Sequence, residues 1–194
     1  MNPLKIHDPS ERRDFLMALD FAYRAHRGQF RKGSGLPFIV HPLAVLSQLS
    51  EWGVTNVVVW KSGVCHDVRE DCPKVTHDHL VKVIGIEAAD IVEELSFFPN
   101  KGQPISYPDQ KAAYMETFGS KGIPALVIKC ADRICNTFDW LSTDPEYAKV
   151  YWKKAASLLE AMRERNTQIN EFFKDEALAG HMRYTAATLE SMIP

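Results

Sequence analysis

The sequence predicts an all-α fold, and three observations support this prediction. Apolar residues recur at intervals of three and four along most of the chain. Proline or a small polar residue precedes several of these segments, as at the start of helices. No two alternating segments are joined by an Asn-Gly or Asp-Gly turn, which would indicate a hairpin. Because 45% of the 194 residues are hydrophobic, the chain can form one full-sized core, and we expect a single compact helical bundle.

The first half of the chain is expected to form five helices. Residues 28–40 contain three glycines and a proline, which predicts a loop between the first two helices. The segment 57–60 is also compatible with a short strand, because its apolar run has no clear periodicity. The helices predicted from periodicity and capping residues span residues 8–27, 41–53, 55–71, 76–85 and 87–96.

The second half begins with the longest predicted loop. Residues 97–108 contain three prolines, and connections of this length often border a substrate or act as a lid. Helices are then expected over residues 109–118 and 124–141. The pair Asp144-Pro145 predicts another helix start, and the remaining residues are interpreted as two helices, the first of which contains Tyr147 to Phe172.

Composition and charge exclude several classes of protein. The 23 Lys and Arg residues nearly balance the 25 Asp and Glu residues, which argues against disorder and against extensive binding of nucleic acid. No signal-like segment and no stretch of about 18 apolar residues is present, so we expect a soluble, cytoplasmic protein without a membrane partner. The four cysteines lack metal-site spacing and are interpreted as reduced core residues.

Acidic residues concentrate between residues 66 and 71. His66, Asp67, Glu70 and Asp71 are three to five positions apart, so they would share one face of a helix. Three carboxylates at this spacing repel one another, and a bound cation would relieve the repulsion. The alternative is a solvated acidic helix end.

A second polar cluster lies on a strongly apolar predicted helix. Asp132, Asn136 and Asp139 are four and then three positions apart, which places them in one polar stripe. Buried polar groups need partners, so the stripe would meet water, a cation or other side chains. An ordinary exposed helix face is equally compatible with this spacing.

The segment 21–50 is basic, with four cationic residues and no Asp or Glu. Arg31 and Lys32 lie beside Gly33, Ser34 and Gly35, so backbone N–H groups and cations could approach phosphate oxygens together. The spacing differs from that of a P-loop, and a basic surface loop is the alternative. His41 follows at the start of the second helix and offers a neutral nitrogen ligand.

Three segments, RKGSGLPFIVHP, GVCHDVREDC and IKCADRICN, resemble the hydrolase domain of RelA/SpoT homologues, a branch of the HD superfamily. The similarity covers most of residues 10–142, and the chain length resembles that of the stand-alone small alarmone hydrolases. The resemblance implies a single HD-type hydrolase domain over residues 1–194. Its motif core would span about residues 10–142 and its C-terminal helices residues 144–194.

The resemblance also implies a cofactor and site residues. The family binds one Mn²⁺, and the matching ligand positions are His41, His66, Asp67 and Asp132. These ligand types are compatible with Mn²⁺ but leave Fe²⁺, Zn²⁺ and Mg²⁺ open. The positions that match the catalytic acid/base pair are Glu70 and Asp71, and those assigned to substrate are Arg31, Lys32, Ser34 and Asn136.

The implied activity is removal of the 3′-pyrophosphate from the stringent-response alarmones guanosine tetra- and pentaphosphate (ppGpp and pppGpp), which gives GDP or GTP and pyrophosphate. Two alternatives are a phosphatase acting on another nucleotide such as NADPH, and a catalytically silent nucleotide-binding helical domain. Retention of the carboxylate pair Glu70 and Asp71 favours an enzyme. Two departures from the family pattern affect the substrate contacts: an extra residue in RKGSGLP, and Thr137-Phe138-Asp139 after Asn136.

Overall fold

The computed structural model describes residue 6, residues 8–102 and residues 104–194. Throughout this part of the chain the regular structure is helical, as predicted, and the only strand-like pairing is one bridge between Phe30 and Pro37. The helices are α1 Pro9–Ala25, α2 Val40–Glu51, α3 Val57–Cys65, α4 Val68–Asp71, α5 His77–Ile84, α6 Ile86–Leu95, α7 Tyr107–Glu116, α8 Ile123–Thr143, α9 Pro145–Lys153, α10 Ala156–Glu164, α11 Asn166–Phe173 and α12 Leu178–Met192, with a 3₁₀ turn at Thr117–Gly119.

Capping residues begin several helices where the sequence predicts them. The side chains of Asp8, Thr76 and Asp144 each accept a backbone N–H from the first turn of the following helix. Pro9 and Pro145 occupy first-turn positions, where their missing N–H groups cost nothing. These local signals therefore fix the starts of α1, α5 and α9.

The predicted helix over residues 55–71 is wrong in two respects. Asn56, and not Thr55, caps it, and the helix divides into α3 and α4 at His66 and Asp67. Nδ1 of His66 lies 2.8 Å from the carbonyl oxygen of Gly63, the group that would otherwise accept the N–H of Asp67 in a continuous helix. The side chain thus takes the place of a backbone bond, and the helix ends. The alternative of a strand over residues 57–60 is also wrong, because these residues are helical.

The C-terminal region contains four helices, α9 to α12, and the prediction of two was wrong. No glycine or proline interrupts residues 146–176, so the breaks have no local signal. At Arg165, between α10 and α11, the guanidinium donates to the carbonyl oxygens of Phe118 and Lys121, which lie far away in sequence. Tertiary contacts thus accompany the turn of the chain at this residue.

Helix α8 lies at the centre of the fold, where it packs against α2, α9 and α10. Most of its first half is buried, from Ile123 to Ile134, and the connected hydrophobic cluster extends from Ala18 to Leu189. The cysteines are free, as predicted, with three buried and Cys135 partly buried. No helix of the described residues is long and apolar enough to span a bilayer.

Candidate metal centre and active site

Four polar side chains from three parts of the fold meet beside α8. His41 comes from the first turn of α2, His66 and Asp67 from the junction of α3 and α4, and Asp132 from the buried half of α8. Nε2 of His41 lies 3.2 Å from Nε2 of His66, 3.1 Å from Oδ1 of Asp132 and 3.5 Å from Oδ2 of Asp67. Nε2 of His66 lies 3.1 Å from Asp67 and 3.7 Å from Asp132. The sequence motifs therefore converge on one point.

The chemistry of these side chains fits a divalent cation. A carbonyl only accepts hydrogen bonds, so the contact with Gly63 requires the proton of neutral His66 to lie on Nδ1, and Nε2 then presents a lone pair. Ligands about 2.1 Å from a small divalent ion lie about 3 Å from one another, close to the separations between these atoms. His41, His66 and Asp132 form a buried group of the size that holds a metal ion.

The electrostatic field of the cluster favours positive charge. Burial by itself lowers the pKa of His66, but the carboxylates of Asp67 and Asp132 outweigh it and raise this pKa to about 10. Burial would raise the pKa of Asp132, but Lys129 and the two histidines hold it well below its usual range. The carboxylates are thus ionised and available to a cation.

Further contacts fix the orientation of Asp132. Its Oδ2 lies 2.8 Å from the buried Nζ of Lys129, one turn earlier on α8. Its Oδ1 faces the two imidazoles and accepts a hydrogen bond from the side-chain amide of Asn136. The two oxygens therefore have separate partners, and only one of them points at the cluster.

Glu70 and Asp71, the predicted catalytic pair, lie on α4 directly after Asp67, and their surroundings differ. Glu70 accepts from Nζ of Lys111 and from the N–H of Phe97, each at 3.2 Å. Partial burial and the negative charges of Asp67 and Glu70 raise the pKa of Asp71 to about 6. The Glu70 carboxylate is thus held in place by its neighbours, whereas the Asp71 carboxylate can exchange a proton near neutral pH.

The basic loop connects to the cluster through α8. Nε of Arg31 donates to the carboxylate of Asp139 at 2.9 Å, and Nη2 of Arg31 donates to Oδ1 of Asn136. The side-chain amide of Asn136 in turn donates to Asp132. Lys32 and Ser34, the other loop residues predicted to bind substrate, are exposed, and the described residues provide neither with a side-chain hydrogen bond. The structure thus brings Arg31 and Asn136 together, whereas Lys32 and Ser34 lie apart on the outer part of the loop.

Two side chains in this region were not predicted from the sequence. Lys111 contacts Glu70 from 41 residues away, and no local pattern marks this lysine. Gln29 donates to the carbonyl oxygen of Asp71 at 3.0 Å and bonds to Nδ1 of the buried His26. The only sequence signal for Gln29 is its position in the glycine-rich loop, next to the predicted site.

Comparison with known proteins identifies several similar proteins. No protein-family model matches the chain. The guanosine-3′,5′-bis(diphosphate) 3′-pyrophosphohydrolase MESH1 of Homo sapiens is 30% identical over 172 residues, which cover 85% of this chain and 93% of that protein. The bifunctional (p)ppGpp synthase/hydrolase SpoT of Escherichia coli K12 is 34% identical over 131 residues, 64% of this chain and 17% of SpoT.

A solved structure also has the same fold. It is described as a metazoan orthologue of SpoT that hydrolyses ppGpp and plays a role in starvation responses. The TM-score is 0.72 at 22% sequence identity, and the match covers 90% of this chain and 94% of the other. The predicted helical fold is therefore confirmed, and the match includes nearly the whole length of both chains.

Proposed function

Because the chain belongs to the family of guanosine-3′,5′-bis(diphosphate) 3′-pyrophosphohydrolases, which includes MESH1, we propose that it is a metal-dependent hydrolase of ppGpp and pppGpp. The observation that carries this proposal is the convergence of two imidazoles and two carboxylates beside a second carboxylate pair. A protein that only bound a nucleotide would have no chemical need for that second pair.

The metal ligands in this proposal are His41, His66, Asp67 and Asp132. Two nitrogen and two carboxylate donors without a thiolate suit Mn²⁺, which is the proposed ion. When bound, such an ion supplies Lewis-acid chemistry, which makes water a better nucleophile near neutral pH and stabilises negative charge on phosphoryl oxygens. Lys129 and Asn136 keep the carboxylate of Asp132 turned toward this ion.

Glu70 and Asp71 act on the attacking water. Glu70, whose two oxygens already have fixed partners, retains lone pairs that accept a hydrogen bond from the water and orient it. Asp71 takes the proton that the water loses, since its raised pKa lies close to the working pH. The water oxygen bonds to the phosphorus attached to the 3′-oxygen, the bond from this phosphorus to the 3′-oxygen breaks, and the 3′-oxygen takes up a proton.

Substrate binding is assigned to the basic loop and the middle of α8. Arg31 and Asn136 contact the nucleotide close to the metal ligands, and their link to Asp132 supports this assignment. Lys32 and Ser34 are exposed on the loop and reach the phosphates when substrate is bound. The guanosine nucleotide is the partner in this proposal.

The domain assignment is also part of the proposal. We interpret residues 1–194 as one hydrolase domain, because the hydrophobic cluster includes residues of the motif core and of α10, α11 and α12. A cytoplasmic location stays a prediction.

Product analysis tests the function. Protein loaded with Mn²⁺ and incubated with ppGpp should release GDP and pyrophosphate in equal amounts, without orthophosphate. A parallel incubation with NADPH tests the alternative, since a phosphatase acting on that nucleotide would release orthophosphate. Intact ppGpp after prolonged incubation with metal-loaded protein would refute the proposal.

A further inference from the structure

One oxygen of the Glu70 carboxylate is bound by a residue of the loop between α6 and α7, and the other by a residue of α7. Oε2 accepts the backbone N–H of Phe97, which lies near the start of the loop, and Oε1 accepts a hydrogen bond from Nζ of Lys111, which follows the loop on α7. Each distance is 3.2 Å. The Glu70 side chain is 22% exposed and that of Lys111 is 40% exposed, so this ion pair lies at the edge of the site and is reached by water on one side.

The surroundings of Lys111 hold its ammonium group in place. Tyr107, Lys111 and Tyr114 are four and then three positions apart, so they share one face of α7. The ring of the buried Phe97 packs against this face, with centroid distances of 5.5 Å to Tyr107 and 5.4 Å to Tyr114. Nζ of Lys111 lies 5.5 Å from the centre of the Phe97 ring, within the range of a cation–π contact. Glu70, Phe97 and Lys111 thus form one connected group.

We propose that Lys111 is a positioning residue for Glu70, and that together with the Phe97 N–H it couples the loop between α6 and α7 to the reaction. This inference rests on the proposed function. A charge-assisted hydrogen bond on one oxygen and a backbone hydrogen bond on the other fix the plane of the carboxylate. Without the ammonium group, the Glu70 side chain would gain rotational freedom and lose the orientation that the attacking water requires.

Steady-state kinetics with ppGpp test this role. Lys111→Met should lower kcat about 10-fold to 100-fold, as expected for removal of a supporting contact, with KM and bound metal unchanged. Lys111→Arg, which retains the charge, should restore most of the activity. Lys101→Met is the matched control, because Lys101 is an exposed lysine in the same loop, and it should behave as wild type.

A double substitution separates action through Glu70 from direct action on substrate. If Lys111 acts only through Glu70, Lys111→Met should cause less than about a twofold further loss in the Glu70→Gln background. A full additional loss there, or a raised KM with unchanged kcat in the single variant, would overturn the inference and indicate a substrate contact.

Hydrogen exchange at the Phe97 amide provides a readout that needs no turnover. Weakening the Glu70 acceptor exposes this N–H, so exchange should be about tenfold faster in Lys111→Met and unchanged in Lys101→Met. Wild-type protein that leaves ppGpp intact would refute the proposed function. Normal wild-type turnover together with unchanged Phe97 exchange and unchanged kcat in Lys111→Met would refute the role of Lys111 alone.

Discussion

Lys129 and Asp132 form an ion pair inside the protein, with Nζ of the lysine 2.8 Å from Oδ2 of the aspartate and side-chain exposures of 9% and 5%. The other oxygen of Asp132 faces His41 and His66, so the lysine supplies positive charge on the far side of the carboxylate. A buried pair of this kind contributes little net stability, whereas removing one partner leaves the other charge less well compensated.

Lys129→Met should destabilise the metal-free protein more than the metal-loaded protein. Removal of the ammonium group leaves only the two imidazoles and the Asn136 amide to compensate the negative charge of Asp132, at a cost of up to about 3 kcal/mol. A divalent ion would restore positive charge beside the same carboxylate. Thermal unfolding in EDTA and in Mn²⁺ should show that the metal raises Tm more in the variant than in wild type. Equal responses to the metal would contradict the proposed role of Asp132 as a ligand.

Asp132→Ala should remove the metal and the activity together. The variant loses a ligand whose Oδ1 lies 3.1 Å from Nε2 of His41, and three donors hold the ion less tightly than four. Elemental analysis of purified protein should detect much less bound metal, and ppGpp hydrolysis should fall about 1,000-fold or more. Asp14→Ala, at an exposed position on α1, serves as the control and should keep both. Full metal occupancy in Asp132→Ala would exclude this residue as a ligand.

Asp71 should set the acid limb of the pH profile. The pKa of Asp71 is raised to about 6 by partial burial and by the charges of Asp67 and Glu70. A proton acceptor must be ionised, so kcat/KM should decline tenfold per pH unit below its pKa. A bound cation favours the ionised form and moves the midpoint to or below about pH 6. The residual activity of Asp71→Asn should no longer show this acid limb. If the limb persisted with the same midpoint in the variant, another group would be responsible for it.

The raised pKa of Asp71 also affects stability. The folded-state pKa of about 6 exceeds the unfolded value of 3.8, so the folded protein binds more protons between these values. The contribution of Asp71 to stability therefore decreases as pH rises from about 4 to about 6. In metal-free protein, Asp71→Asn should raise Tm relative to wild type at pH 7 and leave it unchanged near pH 4. If Asp71→Asn and wild type had equal Tm values at pH 7 as well as at pH 4, the raised pKa of Asp71 would be contradicted.

The parts of the fold that could be predicted are those with local signals. Thr76 and Asp144 accept backbone N–H groups within three residues, so their helix starts follow from capping rules. The break between α3 and α4, in which His66 and Asp67 lie, accompanies a side-chain contact of His66 with Gly63, which periodicity does not reveal. The shared helix face inferred from spacing was therefore wrong for these two residues, although they still meet at the predicted cluster.

Long-range contacts account for what could not be predicted. Lys111 and Glu70 are 41 residues apart, and their pairing depends on the tertiary fold that brings α7 within reach of Glu70. At the break between α10 and α11, Arg165 binds carbonyl groups more than 40 residues away, and its own neighbourhood contains no helix breaker. Such contacts arise from tertiary packing, which overrides local propensity.

Gly33 should be required for the position of the basic loop. A Cβ at this residue would lie 2.6 Å from Oγ1 of Thr143, whose hydroxyl donates to the carbonyl oxygen of Asp139 at 2.9 Å. Gly33→Ala must therefore push the loop away from the end of α8 or break that hydrogen bond, at a cost of about 1 kcal/mol. Because Arg31 binds Asp139 from the same loop, its guanidinium would be displaced as well.

The predicted kinetic result is a KM for ppGpp that rises several-fold in Gly33→Ala, with bound metal unchanged, since the metal ligands lie outside the loop. Arg31→Ala should raise KM by about tenfold, which is the effect expected when the contact between Arg31 and the substrate is lost completely. Adding Thr143→Ala removes the clashing hydroxyl and leaves the nearest atom, Cβ, at 3.2 Å, so the double variant should recover part of the loss. Wild-type KM in Gly33→Ala, or no recovery in the double variant, would show that substrate binding does not depend on this close approach.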